Sequence, residues 1–226
     1  MTLKIHPSSL GQIMTEGRSK TDLLGETCKK KLNAIFIEKK YHRYQDFSSK
    51  MIEKGNANEE TGITMLSNHI NEFLLKNEIT FQNDYLIGTP DIIHDNKIFD
   101  IKCSWSIHTF MAAQISKDYY WQMQAYMELT GINIAYLTYC LTDTPEKLIE
   151  DEIRRAKYKC TDESLYIDIE EGYRRELTFG DIPDSERIKI FKIERNQEDI
   201  DKAKEKINLC RDYYSTLSLT MLSDKL

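Results

Sequence analysis

The chain has 226 residues, 40% hydrophobic and 30% charged, with a formal net charge of −6. That length is enough for one elaborated domain with a sizeable core. No run is long and apolar enough for a membrane span or a signal-peptide core, so a cytoplasmic location with no membrane partner is expected. The five cysteines (Cys28, Cys103, Cys140, Cys160 and Cys210) are scattered, and none forms a pair spaced by two residues. This argues against a zinc site, an iron–sulfur cluster or a disulfide framework. The acidic balance argues mildly against a nucleic-acid partner, which usually leaves a basic footprint. Lys29, Lys30, Lys31, Lys39, Lys40 and Arg43 nevertheless offer either a local basic groove or the solvated face of a helix.

At the N-terminal end, Ser8 or Ser9 is placed to cap a short helix running through Met14, and residues 17–20 read as a basic loop. From Asp22 to about Tyr44, the residues Leu23, Leu24, Cys28, Leu32, Ile35 and Phe36 recur at steps of three and four, the spacing of a packing helix. A second helix carries Ile63, Leu66, Ile70, Phe73 and Leu74 on one face, with Glu59 at the start of that face. Glu60 falls instead beside Thr64, Ser67 and Asn71. A carboxylate on the core side needs a partner, and a metal would be one. The alternative for Glu59 is an acid in solvent that complements the helix dipole.

Ile92, Ile93, Ile98, Phe99 and Ile101 then mark two short strands around Asp95-Asn96, residues that tolerate the positive φ of a tight turn. If those two form the loop, His94 pairs with Lys97, Ile93 with Ile98 and Ile92 with Phe99. Asp91 then comes opposite Asp100, with Cβ atoms roughly 5 Å apart. Strand alternation places Lys102 on the same face as Asp100. Two carboxylates are hard ligands for Mg²⁺ or Mn²⁺, and an ammonium beside them can orient water or neutralise a phosphoryl group. The plainer alternative is a hairpin whose acids sit in water beside a lysine.

Residues 105–114 read as a loop and short helix, and residues 117–130 as a helix that stops at Gly131. That helix sets Gln122, Ala125, Tyr126 and Leu129 on one face, and its aromatic content alone suits Tyr126 to the core. A buried strand over residues 133–140 follows, then a helix starting at Pro145 and capped by Thr144. Residues 188–193 are β-like, and Asn196 with Asp199 caps a long polar helix to about Leu217. The fold class expected is α/β, a small mixed sheet flanked by helices. Its core should span about residues 55–143 of a single domain, with a C-terminal elaboration over about 144–226.

Pro90-Asp91, a spacer, and Asp100-Ile101-Lys102 resemble the signature of the PD-(D/E)XK nucleases, with Asp100 in place of the commoner glutamate. The likeness extends over about residues 8–143 to the phage-type exonucleases of the YqaJ viral recombinase and lambda exonuclease group. It implies a restriction-endonuclease-like core and Mg²⁺- or Mn²⁺-dependent hydrolysis of DNA from duplex ends, running 5′ to 3′ in phage-type recombination. It also implies a ring-shaped homo-oligomer and a single-strand annealing protein as partner. Asp91 and Asp100 would bind the metal, with the carbonyl of Ile101 and Glu59 completing the shell. Gly55 and Glu59 match the family's glycine four residues before a glutamate. Lys102 would position or activate the water. Gln122 and Tyr126 match a Q-x-x-x-Y pair, in which the glutamine orients the water or phosphate and the tyrosine follows the DNA backbone. Ser9 and Arg18 fall where relatives bind a DNA 5′ end. The rival expectations are an endonuclease or single-strand nuclease, a catalytically silent DNA-binding module, or an α/β binding protein with an accidental motif.

Overall fold

The structure is a computed structural model that describes residues 2–17, 22–44 and 49–223. In chain order, helices α1 (Pro7–Ile13), α2 (Glu26–Tyr41) and α3 (Lys50–Ile70) precede a short ribbon of β1 (Phe81–Gln82) and β2 (Ile87–Gly88). Next come β3 (Ile92–His94), β4 (Lys97–Cys103), α4 (Ile107–Met111), α5 (Lys117–Thr130) and β5 (Ile134–Cys140). The chain ends with α6 (Glu146–Lys159), α7 (Tyr166–Leu177), β6 (Ile188–Glu194) and α8 (Gln197–Ser223). The main sheet has the order β3-β4-β5-β6, with β4 and β5 parallel and the outer strands antiparallel to them. This is the small mixed sheet flanked by helices that the sequence leads one to expect. No helix among the described residues is long and apolar enough to cross a membrane.

The β3–β4 hairpin turns on Asp95 and Asn96, whose φ angles of 47° and 55° suit a two-residue turn of the right twist. Its register pairs Ile92 with Phe99, Ile93 with Ile98 and His94 with Lys97, as read from the sequence. A parallel neighbour needs a crossover, and α4 and α5 supply it between β4 and β5. Met123, Tyr126 and Met127 of α5 cover one face of the sheet over Ile98, Ala135, Leu137 and Ile193. Ile63 and Leu66 of α3 cover the other face over Ile92, Phe99, Ile101 and Cys140. The α3 contact is close: a Cβ at Gly62 would lie 2.5 Å from Cγ2 of Ile101. On the α5 side, Gly11 lets α1 approach until a Cβ there would lie 2.5 Å from Cα of Asp118. Leu10, Cys28, Leu32, Ala125, Ile207 and Cys210 join α1, α2, α5 and α8 in a further core.

Three local readings change. Helix α1 starts at Pro7, and no side chain caps it, so Ser8 and Ser9 lie inside the helix. Proline is favoured at that first position because its missing N–H would have no helical partner there. Asn71, with φ 55°, ends α3, which leaves Phe73 outside the apolar stripe and 78% exposed. Helix α6 begins at Glu146, with Pro145 as its cap residue.

Lys54 of α3 is fully buried. Its Nζ donates to the Trp105 carbonyl at 3.2 Å and lies 5.2 Å from the centre of the Phe179 ring. Burial pushes its pKa from 10.5 down to about 8, against the weaker opposing pull of Cys103 and Asp143. Between those two values the unfolded chain binds more protons than the folded one, so stability rises with pH. Below about 8 the full cost of the buried charge is present. We expect the melting temperature of the native chain to gain on that of Lys54→Met between pH 8 and 10. At pH 7 the variant should be at least as stable. Parallel pH profiles for the two proteins would refute the buried charge.

Candidate active site

Asp91 follows Pro90 at the mouth of β3, and Asn77 fixes this segment twice. The Asn77 backbone N–H donates to the Asp91 carbonyl at 2.7 Å, and its Nδ2 donates to the Pro90 carbonyl at 2.9 Å. The Asp91 carboxylate accepts from the backbone N–H of Ile101 through Oδ2 at 2.8 Å. The side chain thereby extends the hairpin ladder past its last paired residue. Asp100, in the middle of β4, has no exposed surface. Its Oδ1 accepts from Nε2 of Gln122 at 2.9 Å. Its Oδ2 lies 2.5 Å from Nζ of Lys102 but makes no directed hydrogen bond. Lys102 stands two residues along β4, on the same face, as strand alternation requires. Its ammonium also lies 5.0 Å from the centre of the Tyr119 ring.

The electrostatics follow from this crowding. Burial, and then the neighbouring Asp100, raise the Asp91 pKa from 3.8 to about 7, while Lys102 and the Ile101 N–H oppose the shift. Burial works against the charge on Lys102, but Asp100 and Asp91 outweigh it and hold its pKa above the ordinary lysine range. Lys102 is therefore a cation at neutral pH.

A cleft of about 740 Å³ opens beside these groups, and Glu59, Asp91, Ile101, Lys102 and Gln122 all line it. Glu59 faces this cleft while Glu60 is exposed elsewhere, the distinction drawn from helical periodicity. Oε2 of Glu59 lies 2.8 Å from Nζ of Lys76, a partner beyond the end of α3 that no local sequence pattern marks. Among the described residues, no three His, Cys, Asp or Glu side chains converge into a ready metal cage. The hard oxygen donors are two aspartates and the main chain, with Glu59 held by its lysine. A set of this kind suits Mg²⁺, which binds through one or two carboxylates and keeps several waters.

Two residues expected to touch DNA are placed otherwise. Ser9 is buried at 8% exposure, whereas Ser8 is exposed and lines the cleft. The helix begins two or three residues earlier than a serine cap would set it, and Ser9 lies on its buried side. Tyr126 is 6% exposed and packs behind Gln122 among Met123, Met127 and Leu137. Burial, then Asp100 and Asp91, push its hydroxyl pKa up, while a hydrogen bond with Gln122 pulls it down. This ring is core, as its aromatic helix suggests. Arg18 lies outside the described residues. Tyr119 and Lys76 are the contributors to the site that the sequence reading misses.

No family model and no curated protein sequence matches the chain. Among solved structures, it is similar to a phage-related exonuclease from Haemophilus somnus 129PT. The identity is 28%, the match covers 98% of this chain and 97% of that one, and the TM-score is 0.79. It is also similar to an alkaline exonuclease from Laribacter hongkongensis, at 13% identity over 98% of this chain and 92% of that one, with a TM-score of 0.66. A complex of that enzyme with dAMP gives 14% identity and a TM-score of 0.65 over the same shares. The protein thus has the fold of the PD-(D/E)XK nucleases. Within that class its likeness is to a phage-related exonuclease and an alkaline exonuclease.

The raised pKa of Asp91 has a measurable consequence without any metal. Its carboxyl holds its proton up to about pH 7 when folded but only to 3.8 when unfolded, so the folded state binds more protons in that window. Stability therefore falls as pH rises through it. Asp91→Asn keeps an acceptor for the Ile101 N–H and removes the buried charge. In EDTA at pH 8 we expect the variant to melt above the native chain by roughly 2–4 °C for each kcal/mol relieved. The gap should close as pH falls toward 4. A gap that does not vary with pH would contradict the assignment.

Proposed function

We propose that the protein is a divalent-metal-dependent deoxyribonuclease that degrades duplex DNA from its ends in the 5′ to 3′ direction. The observation that carries this reading is the convergence of Asp91, Asp100 and Lys102 at one end of the hairpin, with Asp91 and Lys102 lining a cleft, in a fold shared along nearly its whole length with a phage-related exonuclease. Mg²⁺ or Mn²⁺ is the cofactor of this proposal. The donor chemistry supports it, because Asp100 Oδ2 is buried without a directed hydrogen bond and the Asp91 carboxylate is disfavoured as an anion by burial and then by its like-charged neighbour. Asp91, Asp100 and the Ile101 carbonyl would hold the ion, and Glu59 would join on release from Lys76. Bound there, it would supply Lewis acidity toward the phosphoryl group and a more acidic water.

The chain's own groups have distinct tasks in this scheme. Lys102 is charged, so it acts as a donor: it orients the attacking water and neutralises charge growing on the phosphate. Gln122 spends its amide donor on Asp100 and so sets the direction of that carboxylate. Ser8 stands at the cleft wall where a hydroxyl can meet a phosphate oxygen. The ring-shaped oligomer, the annealing partner and the role in phage-type recombination belong to the same proposal. Their support is the resemblance to phage-type exonucleases.

The test sets linear duplex DNA beside a covalently closed circle, each with Mg²⁺, Mn²⁺ or EDTA. We expect loss of the linear DNA alone, abolished by EDTA and reduced by roughly a hundredfold or more in Lys102→Ala and Asp100→Asn. Label released first from the 5′ end would confirm the direction. Cutting of the circle would make the protein an endonuclease. If both substrates stay intact with either metal, the nuclease reading fails.

A further inference from the structure

Lys102 has a long flexible stem and three donors, and a lysine of this kind does not hold one direction unless its surroundings impose it. One constraint is Asp100 Oδ2, 2.5 Å from Nζ. The other is an aromatic face, with the Tyr119 ring centre 5.0 Å from the same nitrogen. Tyr119 is itself held at both ends. Its backbone N–H donates to Oγ of Ser116, the cap of α5, at 3.2 Å. Its ring packs edge-on to Tyr139 on β5, with centres 6.2 Å apart and planes at 71°. Tyr139 is fixed in turn by its hydroxyl, which donates to the Gln114 carbonyl at 2.8 Å, and by an edge contact with Phe191 on β6. Tyr119 and Tyr139 both line the cleft that contains Lys102.

We propose that Tyr119 is a positioning residue: its ring face and Asp100 clamp the Lys102 ammonium from two sides, so that the remaining donors face the cleft. The attraction is that of a cation for the negative face of a ring, and it is stronger in a partly dry site than in water. The clamp needs the ring and not the hydroxyl. The ring gives the ammonium a second neighbour beside the carboxylate it already touches, so its direction does not rest on Asp100 alone. The inference rests on the nuclease reading given above, and it adds a residue that the PD-(D/E)XK signature does not contain.

The experiment compares Tyr119→Phe and Tyr119→Leu with the native chain by two readouts. In the metal-free protein, with lysines labelled at Cε, ring-current shielding should move the Lys102 ε-CH₂ signal upfield. That shift should persist in Tyr119→Phe and vanish in Tyr119→Leu. In steady-state digestion of linear duplex DNA, Tyr119→Leu should lose roughly tenfold in kcat with KM little changed, and Tyr119→Phe should stay near the native value. Lack of the shift in the native chain would overturn the proposal. So would a phenylalanine variant that falls as far as the leucine one, since the hydroxyl would then be the active part. A native chain with the shift but no nuclease activity would overturn the nuclease reading while confirming the clamp.

Discussion

A carboxylate with no exposed surface sits on an inner strand of the sheet, and the cost of keeping it charged governs its surroundings. Removing an ion from water costs several kcal/mol unless partners restore what hydration supplied. Asp100 finds its partners on two elements. Lys102 comes from its own strand, two residues on, and Gln122 comes from the crossover helix that the parallel pairing of β4 and β5 requires. The arrangement is economical because the helix that makes the sheet topology possible also delivers the amide that orients the carboxylate. It is also exacting, since losing either partner would leave a buried charge uncompensated.

The second carboxylate makes the site electrostatically unbalanced. Asp91 is drawn toward Asp100 by the hairpin register and by the Ile101 N–H, which holds the two like charges together rather than letting them separate. Burial adds to this repulsion and outweighs it, and although Lys102 offsets part of the total, Asp91 is still pushed to about 7. Such a pair is relieved by a proton or by a cation, and the cleft gives solvent access to either. Glu59 is close enough to add to the imbalance and is restrained by Lys76.

Much of this was legible in the sequence because it follows from short-range rules. A two-residue turn fixes the hairpin pairing, the period of two fixes which face Lys102 takes, and the helical period separates Glu59 from Glu60. The mixed sheet, Gly131 as a stop with φ 75° and the Asn196–Asp199 cap are of the same kind. The misses have different causes. A cap at Ser8 or Ser9 gives way to Pro7, which starts the helix earlier. Tyr126 shares a helical face with Gln122, but sharing a face does not tell which of the two reaches the cleft. Lys76 and Tyr119 act through partners at long sequence distance, where no periodicity speaks. Helix α7 buries only Leu177 among its residues and so gives little apolar rhythm to read.

The turn at Asp95 and Asn96 also sets where the chain can vary in length. Adding or removing one residue there would slide β3 against β4 by a step, and each side chain of the slipped strand would exchange faces. Asp91 would then leave Asp100, and the donor pair would be lost without any change to an acidic residue. The connection from β5 to β6, which carries α6 and α7 over residues 141–187, has no such hold on the β3–β4 register. Insertions and deletions in the exposed parts of that excursion should therefore leave the donor pair in place, whereas at the hairpin tip they should inactivate, although the tip contributes no side chain to the cleft.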